Sequence, residues 1–388
     1  MANPAINSAI RLCADDRGYL AYDSDADRLY ELNATGALIV ELCDGSRTSD
    51  EIRALAAPVM PEGQAAVIDH FISEALESRL LVLEDRTPVS PRELSPEELT
   101  TLVEHLRDCG QIGSALRCAK KVAQRTPEDP VAWHHLGRVA QAAGDRPLAR
   151  EAFESYLSQR PEDAAIAHLL MALRDQPPPA RASNECILQS FSDFASHYDS
   201  KMRDHLGYQA PERLQQLIWS ELNGAAQLTI LDLGCGTGLA GVGLKPRAAR
   251  LDGIDLSPEM IEMARARGTY DSLEVAEITD WLDKAASDFD LIVACDCLVY
   301  FGNLEPVARP VAVRLKPDGC FAFTVERGEK YPLRLTDSGR FAHHPDHIRE
   351  VAAKSGLLLA RLEEGVLRTE AGAEVVCLLA LLRKPASH

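Results

Sequence analysis

A glycine-rich turn within a series of alternating apolar and amphipathic segments constrains the fold of this chain more than any other feature. The turn runs from Asp232 to Gly238 and ends the apolar run LTILDLG. Apolar runs and helical stretches then alternate as far as VVCLLALL. Strands separated by helices predict a doubly wound α/β domain, and seven such runs predict a seven-stranded mixed sheet. The ligand is expected at the carboxyl ends of the first strands, beside the turn.

The composition of the turn predicts a nucleoside site. Glycine lets the backbone approach a ligand closely and bend sharply into a following helix. Asp255 ends the next strand, where a carboxylate can accept hydrogen bonds from a ribose diol. The segment from Gly236 to Gly241 also satisfies the G-x-G-x-x-G pattern of dinucleotide-binding proteins. On the glycines alone, a nicotinamide-dependent oxidoreductase is therefore an alternative.

The wider sequence resembles one family of nucleoside-binding enzymes. LDLGCGTG, followed by GIDLSPEMIEMAR, is similar to the first two motifs of class I S-adenosylmethionine-dependent methyltransferases. The resemblance implies a Rossmann-like domain with S-adenosylmethionine as its cofactor. It also implies that Gly234, Gly236 and Gly238 pass over the methionine part of the cofactor, with Asp232 near its ammonium group. Asp255 would then hold the ribose hydroxyls.

The same resemblance implies roles for five further residues. Glu277 and Ile278, after the third strand, fall where these enzymes bind the adenine amino group and ring. Asp296 and Tyr300, after the fourth strand, would face the methyl-transfer site. Tyr198 lies in a segment that resembles the lid helix of the family and is a candidate cofactor contact. The alternatives are that Asp296 only caps a helix and that Tyr198 only packs the lid.

Candidate proton acceptors come from the C-terminal part of the chain. Methyl transfer is an in-line displacement, so the protein aligns the acceptor and takes a proton where the acceptor carries one. Glu326 ends the fifth strand, and His343, His344 and His347 precede a predicted helix. Histidine titrates near neutrality and can serve as a base. The HHPDH cluster is equally compatible with a polar helix N-terminus.

The middle of the chain carries an internal repeat. Gly110 and Gly144 are 34 residues apart, which is the period of tetratricopeptide helix pairs. Trp133 and Gly137 fit the W-x-x-L-G pattern of those repeats. Residues 91–178 are therefore predicted to be all-α and tetratricopeptide-like. About two repeats are too few for an independent solenoid, so docking on a neighbouring domain is expected.

Proline-rich stretches near residues 84–98 and 174–183 are predicted linkers. They divide the chain into three expected domains: residues 1–90, residues 91–178 and the methyltransferase-like residues 179–388. The order of repeats, lid and sheet motifs resembles a group of predicted methyltransferases that contain tetratricopeptide repeats.

The first segment is predicted to be a small winged-helix-like α+β domain. In GYLAYDSDADRLYEL, apolar and polar residues alternate on both sides of an Asp-rich turn, which predicts a β-hairpin. Three helical stretches follow it. Residues 1–90 hold 7 basic and 16 acidic residues, the reverse of the footprint of a DNA-binding domain. The net charge of the whole chain, −18, likewise argues against nucleic acid and anionic membranes as partners.

This segment resembles the PqqD-like domain, also called the RiPP recognition element, through the hairpin, the ELNATGALIVELCDGSRTSDEIRALA stretch and the closing helix. The resemblance implies that the leader of a precursor peptide adds as a strand to the hairpin edge. The groove would lie between Arg28, Leu29 and Tyr30 on the strand and Val67 and Phe71 on the third helix. The alternative is a packing domain whose edge binds nothing.

The expected protein is a methyltransferase that modifies a ribosomally synthesised precursor peptide. Ten scattered cysteines without a C-x-x-C pair fit the reducing cytoplasm, and no run of 18 apolar residues predicts a membrane span. A methyltransferase of a folded protein or small metabolite, with the N-terminal modules as scaffold, is the alternative. A catalytically inactive adaptor is disfavoured because it would not need the glycine turn or Asp255.

Overall fold

The computed structural model describes residues 3–15, 18–23, 25–56, 65–84, 95–108, 110, 112–174, 176–192, 208–286, 288–370 and 373–386. The chain divides into two compact units, Met1–Tyr156 and Leu157–His388. The three predicted domain ranges stay predictions. Within the described ranges, no helix is both long enough and apolar enough to cross a membrane.

The N-terminal part of the first unit is a small α+β structure. Its strands are β1 (Asn3–Ile6), β2 (Ile10–Asp15), β3 (Gly18–Asp23), β4 (Arg28–Asn33) and β5 (Leu81–Glu84), and its helices are α1 (Ala34–Leu42), α2 (Ser49–Ala56) and α3 (Ala65–Glu77). The predicted hairpin is confirmed, because β3 and β4 pair antiparallel. The sequence pattern missed the pairing of β2 with β3 and of β1 with β5.

Local capping explains where the first two helices begin. The side chain of Asn33 accepts a hydrogen bond from the backbone N–H of Gly36 at 2.9 Å, which satisfies one free donor of α1. Thr48 and Glu51 form a capping box before α2, with reciprocal side-chain to backbone bonds.

Helices of the repeat region follow in both units. They are α4 (Pro96–Asp108), α5 (Ile112–Arg125), α6 (Pro130–Ala142), α7 (Arg146–Gln159), α8 (Ala164–Leu173) and α9 (Asn184–Ser192). Gly110 and Gly144 both have a positive φ, near 75° and 73°. A Cβ on Gly137 would lie 2.3 Å from the Phe153 ring, so only glycine allows this close approach. These contacts agree with the 34-residue repeat, whose assignment to the tetratricopeptide class stays a prediction.

The three-stranded sheet β2-β3-β4 is covered on both faces. One face packs on α1 to α3 through residues such as Ala21 and Leu32. The other face packs on α4 and α5 through Cys13, Leu20 and Leu29. The repeat helices therefore dock on the sheet, as so short an array requires. Among the described residues β4 pairs only with β3, which leaves the other edge of β4 open.

The second unit is built on a mixed sheet of nine described strands, two more than predicted. The strands are β6 (Leu228–Leu233), β7 (Ala248–Asp255), β8 (Ser272–Val275), β9 (Phe289–Ala294), β10 (Leu315–Arg327), β11 (Leu333–Leu335), β12 (Phe341–His343), β13 (Leu358–Glu370) and β14 (Ala373–Arg383). The seven predicted strands are present. The additional β11 and β12 have three residues each, too few to produce a readable alternation.

The strand order places a ligand crevice beside β6. Strands β8, β7, β6, β9 and β10 are parallel. Strand β14 pairs antiparallel with β10, and β13 pairs antiparallel with β14. The strand that follows β6 in the chain, β7, lies on one side of β6 in the sheet, whereas β9 lies on its other side. In open α/β sheets such a switch point opens a crevice at the carboxyl ends of the strands.

Helices cover both faces of this sheet. They are α10 (Ala210–Glu221), α11 (Leu239–Leu244), α12 (Pro258–Arg267), α13 (Ile278–Lys284), α14 (Glu305–Arg314) and α15 (Pro345–Lys354). Two buried apolar clusters, one on each side, fill the space between sheet and helices. Helix α8 also packs here, because Ala172 contacts Leu335 and Phe341 and the His168 ring bonds the Gly339 carbonyl at 3.0 Å.

Candidate functional site

A cavity that is open to solvent lies at the carboxyl ends of β6 to β9; together with the solvent space at its mouth it has a volume of about 680 Å³. Its lining is mainly apolar, with three carboxyl groups and one guanidinium. The residues that line it are Arg181, Ile187, Gly234, Gly236, Asp255, Leu256, Met260, Ala276, Glu277, Ile278, Cys295, Asp296, Cys297, Tyr300 and Phe301. Seven of the predicted site residues are among them.

Two glycines of the turn form one wall. Gly234 and Gly236 have positive φ values of 63° and 54°, which L side chains rarely adopt. A Cβ on Gly234 would lie 2.5 Å from the Cβ of Cys297, whereas a Cβ on Gly236 would meet nothing within 4 Å. Gly238 does not line the cavity. It has a φ of 89° and is the N-cap residue of α11, close to Tyr270, so its conformation serves the start of that helix.

Asp255 lies at the end of β7 and lines the cavity. Its Oδ2 accepts a hydrogen bond from the backbone N–H of Gly236 at 2.8 Å, and its Oδ1 accepts one from Ser257 at 2.9 Å. Burial raises the pKa of this carboxyl. The two amides fix the plane of the carboxylate, and each oxygen keeps a further lone pair for a ligand hydroxyl.

Asp232 is fully buried and does not line the cavity. The Tyr270 hydroxyl donates a hydrogen bond of 2.7 Å to its Oδ2, while its Oδ1 has no partner within the described part of the chain. Burial raises the pKa of Asp232 to about 7, and the Tyr270 bond opposes that rise. The Asp232 side chain is thus directed towards Tyr270 and not towards the cavity, where the predicted contact with an ammonium group would have to form.

The raised pKa makes a stability prediction for Asp232→Asn. The folded protein holds the Asp232 proton up to about pH 7, whereas the unfolded chain releases it near pH 4. The stability contributed by this proton is therefore lost as the pH rises through 7. Because asparagine does not titrate, the Tm of the variant minus that of the wild type should increase between pH 5.5 and 8.5. Thermal unfolding measured at both pH values tests this, and an unchanged difference would contradict it.

Glu277 and Ile278 meet at the start of α13 and both line the cavity. The Oε2 of Glu277 caps the helix by accepting bonds from the backbone N–H of Asp280 at 2.9 Å and from the hydroxyl of Thr279 at 2.5 Å. Its Oε1 accepts a bond of 3.0 Å from Arg181. Arg181 was not anticipated, because nothing in a proline-rich stretch marks a residue that reaches a distant helix start.

Asp296 and Tyr300 both line the cavity. Asp296 has a φ of 56°, and its backbone N–H donates to the hydroxyl of Thr324 at 2.8 Å. It provides no side-chain cap to the short helix that follows, so the capping alternative is not supported. Burial raises the pKa of Tyr300, which therefore keeps its proton at neutral pH.

Asp296 belongs to a buried network of ion pairs. Arg368, on β13, is 3% exposed; it donates to Asp296 Oδ2 at 3.0 Å and to Glu326 Oε1 at 2.8 Å. Arg340 also donates to Glu326, at 2.5 Å. Glu326 does not line the cavity, and its carboxylate is bound by two guanidinium groups. The prediction that it acts as a proton acceptor is therefore corrected.

The structure does not bring the predicted histidines to the cavity. His343 is fully buried at the end of β12, where its Nε2 lies 3.2 Å from the Gly302 carbonyl; burial lowers its pKa to about 4. The ring of His344 accepts a bond from the backbone N–H of Asp346 and so caps α15. Only His344 fits the alternative of a polar helix N-terminus, because His343 and His347 are buried. Tyr198 lies outside the described residues.

The predicted peptide-binding residues are only partly on one surface. Tyr30 reaches the end of α3, where its hydroxyl donates to the Ser78 carbonyl at 2.6 Å, and the guanidinium of Arg28 lies 5.2 Å from its ring centre. On α3, Val67 is 44% exposed and Phe71 is partly buried. Leu29 faces the opposite side, towards α4 and α5, because alternate residues of a strand point to opposite faces. Its side chain is thus removed from the expected groove.

Two protein families match the sequence. The family described as "Methyltransferase domain" matches residues 230–319, and the family described as "Coenzyme PQQ synthesis protein D (PqqD)" matches residues 18–81. The first match includes the glycine turn, Asp255, Glu277 and Asp296. The second includes β3, β4 and the helices α1 to α3.

Curated relatives match the C-terminal part. The ubiquinone biosynthesis O-methyltransferase of Xanthomonas oryzae pv. oryzae (strain PXO99A) is 28% identical over 149 residues, covering 34% of this chain and 62% of that protein. The enzyme of the same name from Xylella fastidiosa (strain 9a5c) is 32% identical over 141 residues, covering 32% and 57%. The chain thus spans about 57–62% of the length of these relatives.

Solved structures also resemble this chain. The N-methyltransferase NodS from Bradyrhizobium japonicum WM9, in complex with S-adenosyl-L-homocysteine, shares 23% identity with a TM-score of 0.42, over 51% of this chain and 98% of that one. The matching families, taken with the glycine turn and the sheet order, show that the chain contains a class I S-adenosylmethionine-dependent methyltransferase domain and a PqqD domain.

Proposed function

We propose that this protein transfers a methyl group from S-adenosylmethionine to a ribosomally synthesised precursor peptide. The observation that carries the cofactor part is the Asp255 carboxylate, held by two backbone amides beside the open left-handed turn at Gly236. A fixed carboxylate next to a glycine wall suits a ribose diol and an extended amino-acid tail.

The residues present fit this cofactor. Gly234 and Gly236 would face its methionine part, Asp255 its ribose, and Glu277 with Ile278 its adenine. When bound, the cofactor supplies an electrophilic methyl group on a sulfonium ion.

The transfer end of the cavity is formed by Asp296 and Tyr300. Asp296 can accept a hydrogen bond from the O–H or N–H of an acceptor and so align its lone pair for an in-line attack. The protonated Tyr300 hydroxyl can donate to the same group. Apolar residues, among them Ile187 and Phe301, line the same cavity and would limit the access of water to the reacting atoms.

The peptide part of the proposal rests on the PqqD domain and its open strand edge. A segment added to β4 would gain backbone hydrogen bonds, and its side chains would meet α3 near Val67 and Phe71. The proposed organisation is a leader-binding domain over residues 1–90, tetratricopeptide-like repeats over 91–178 and the catalytic domain over 179–388. Because the leader-binding domain and the catalytic domain belong to one chain, a bound leader raises the local concentration of the core peptide at the catalytic domain.

Proline substitutions in β4 test leader capture. Successive residues of a strand direct their N–H groups to opposite edges. One of the two variants Leu29→Pro and Tyr30→Pro therefore removes a donor from the open edge of β4, and the other removes a donor from the pairing of β4 with β3. The open-edge variant should lose at least about tenfold in leader affinity while the helical circular dichroism signal is retained. The measurement is fluorescence anisotropy with the labelled leader of a precursor peptide found to be encoded beside this gene; the absence of such a peptide gene would favour the second candidate below.

Alanine at the same two positions is the matched control, since it keeps the backbone donor. Equal leader affinity in the wild type and both proline variants would contradict capture at this edge. An acceptor other than a leader-bearing peptide is the second candidate, favoured by the naming of the relatives for ubiquinone biosynthesis. Equal methylation of leaderless and full-length peptide would support it.

A further inference from the structure

The segment before the methyltransferase sheet is part of the cavity wall, although its prolines predict a linker. The backbone N–H of Ala182 donates to the Tyr300 carbonyl at 2.8 Å. The N–H groups of Gly302 and Asn303 both donate to the Ala180 carbonyl, also at 2.8 Å. Ala182 is fully buried. These bonds hold the intervening residue, Arg181, against the strand-like segment that follows Asp296.

The Arg181 side chain is directed into the cavity and is held by three neighbours. Its Nη1 donates to Glu277 Oε1 at 3.0 Å, and its Nη2 donates to Asn184 Oδ1 at 2.6 Å. Its guanidinium carbon lies 5.6 Å from the centre of the Phe301 ring, within the range of a cation–π contact. The side chain of Glu277 is 8% exposed and that of Arg181 is 31% exposed.

We propose that Arg181 is a positioning residue for adenine recognition, because it holds the Glu277 carboxylate in the orientation that accepts a hydrogen bond from the purine amino group. The proposal rests on the proposed function, since it takes the nucleoside of S-adenosylmethionine as the ligand. It assigns a role in cofactor specificity to a residue outside the matched methyltransferase range, 230–319.

The bonds of Glu277 explain why a second residue is needed. Its Oε2 is used by the start of α13, through Asp280 and Thr279. Its Oε1 receives one bond, from Arg181, and keeps a second lone pair for a ligand donor. A charge-assisted bond to a planar guanidinium restricts the rotation of the carboxylate about its last torsion. Without Arg181, the cap would remain, but Oε1 would no longer be held towards the cavity.

This geometry predicts discrimination between two nucleosides. S-adenosylhomocysteine carries an amino group at purine position 6, whereas S-inosylhomocysteine carries a carbonyl oxygen there. A fixed carboxylate accepts a bond from the amino group and repels the oxygen. Sites built to bond a polar hydrogen reject analogues that lack it far more strongly than apolar pockets reject a change of shape.

The test is calorimetric titration of the full chain with each of the two nucleosides. The wild type should prefer S-adenosylhomocysteine by at least about tenfold. Arg181→Ala should reduce that preference about tenfold, and Arg181→Lys, which keeps the charge without the planar fork, should restore part of it. Arg309→Ala, which removes an exposed arginine paired with Glu305 away from the cavity lining, is the matched control and should keep the wild-type preference.

The outcomes separate this inference from the proposed function. A wild type that binds neither nucleoside overturns both. A wild type that binds the two equally, or an Arg181→Ala variant that weakens both by the same factor, overturns the role of Arg181 and leaves the cofactor assignment standing. If Arg181→Ala fails to fold, the preference of Arg181→Gln decides by the same criterion.

Discussion

Arg368→Met is expected to destabilise the second unit by about 3–5 kcal/mol, the cost of breaking a buried ion pair by removing one partner. The side chains of Asp296 and Glu326, which Arg368 joins, are 10% and 9% exposed. Arg340 still compensates Glu326 in the variant, so most of the cost falls on Asp296. For a unit of this size the loss corresponds to a decrease in Tm of about 6–20 °C, measured by thermal unfolding of the full chain.

The control for this prediction is the double variant Asp296→Asn with Arg368→Met. Neutralising the carboxylate together with the guanidinium removes the uncompensated charge, so the double variant should recover much of the lost Tm. A Tm for Arg368→Met within about 2 °C of the wild type would show that the network contributes little.

Asp255→Ala is expected to weaken binding of S-adenosylhomocysteine by about 1.5–3 kcal/mol, or roughly 10- to 150-fold, through loss of charge-assisted bonds to the ribose. Asp255→Asn should also weaken binding, because both oxygens of the carboxylate accept backbone N–H groups. An amide cannot accept with its nitrogen, so one of those two amides would lose its acceptor.

Asp252→Asn is the matched control for Asp255. Asp252 lies on the same strand, is ion-paired with Arg250 at 2.9 Å and does not line the cavity. Its variant should bind the nucleoside like the wild type, as calorimetry can measure. Retention of wild-type affinity by Asp255→Ala, or tight binding of a nicotinamide dinucleotide in place of the methionine nucleoside, would contradict the cofactor assignment.

The predicted site residues that line the cavity are those whose position depends on local order. Gly234 and Gly236 follow a strand, and Asp255 and Asp296 follow the next two strands that flank it in the sheet. Carboxyl ends of parallel strands meet at one edge whatever the details of packing. The direction of a side chain, by contrast, depends on packing against distant parts of the chain. His343, for example, ends a strand, but its side chain points into the core beside Gly302.

Glu326 and Leu29 show the same division. Both occupy the strand positions that their sequence patterns predict. The partners that surround them come from elsewhere in the chain, because two arginines bind Glu326 and the repeat helices cover the face that holds Leu29. Two ion pairs give Glu326 a structural role, and the repeat helices leave Leu29 partly buried on the face away from the expected groove.

The sequence by itself determined the doubly wound sheet, the hairpin and its capped helices, and the place of the nucleoside site, because periodicity, caps and glycine turns act over a few residues. Only the tertiary structure decided which charges meet at that site. Arg368 lies 72 residues from Asp296 and reaches it after an irregularity in the pairing of β13 with β14, between Val366 and Arg368, that re-aims the side chain. Arg181 lies 96 residues from Glu277 and is held there by backbone bonds to the segment after β9. Strand register and packing, rather than local pattern, bring these ion pairs together.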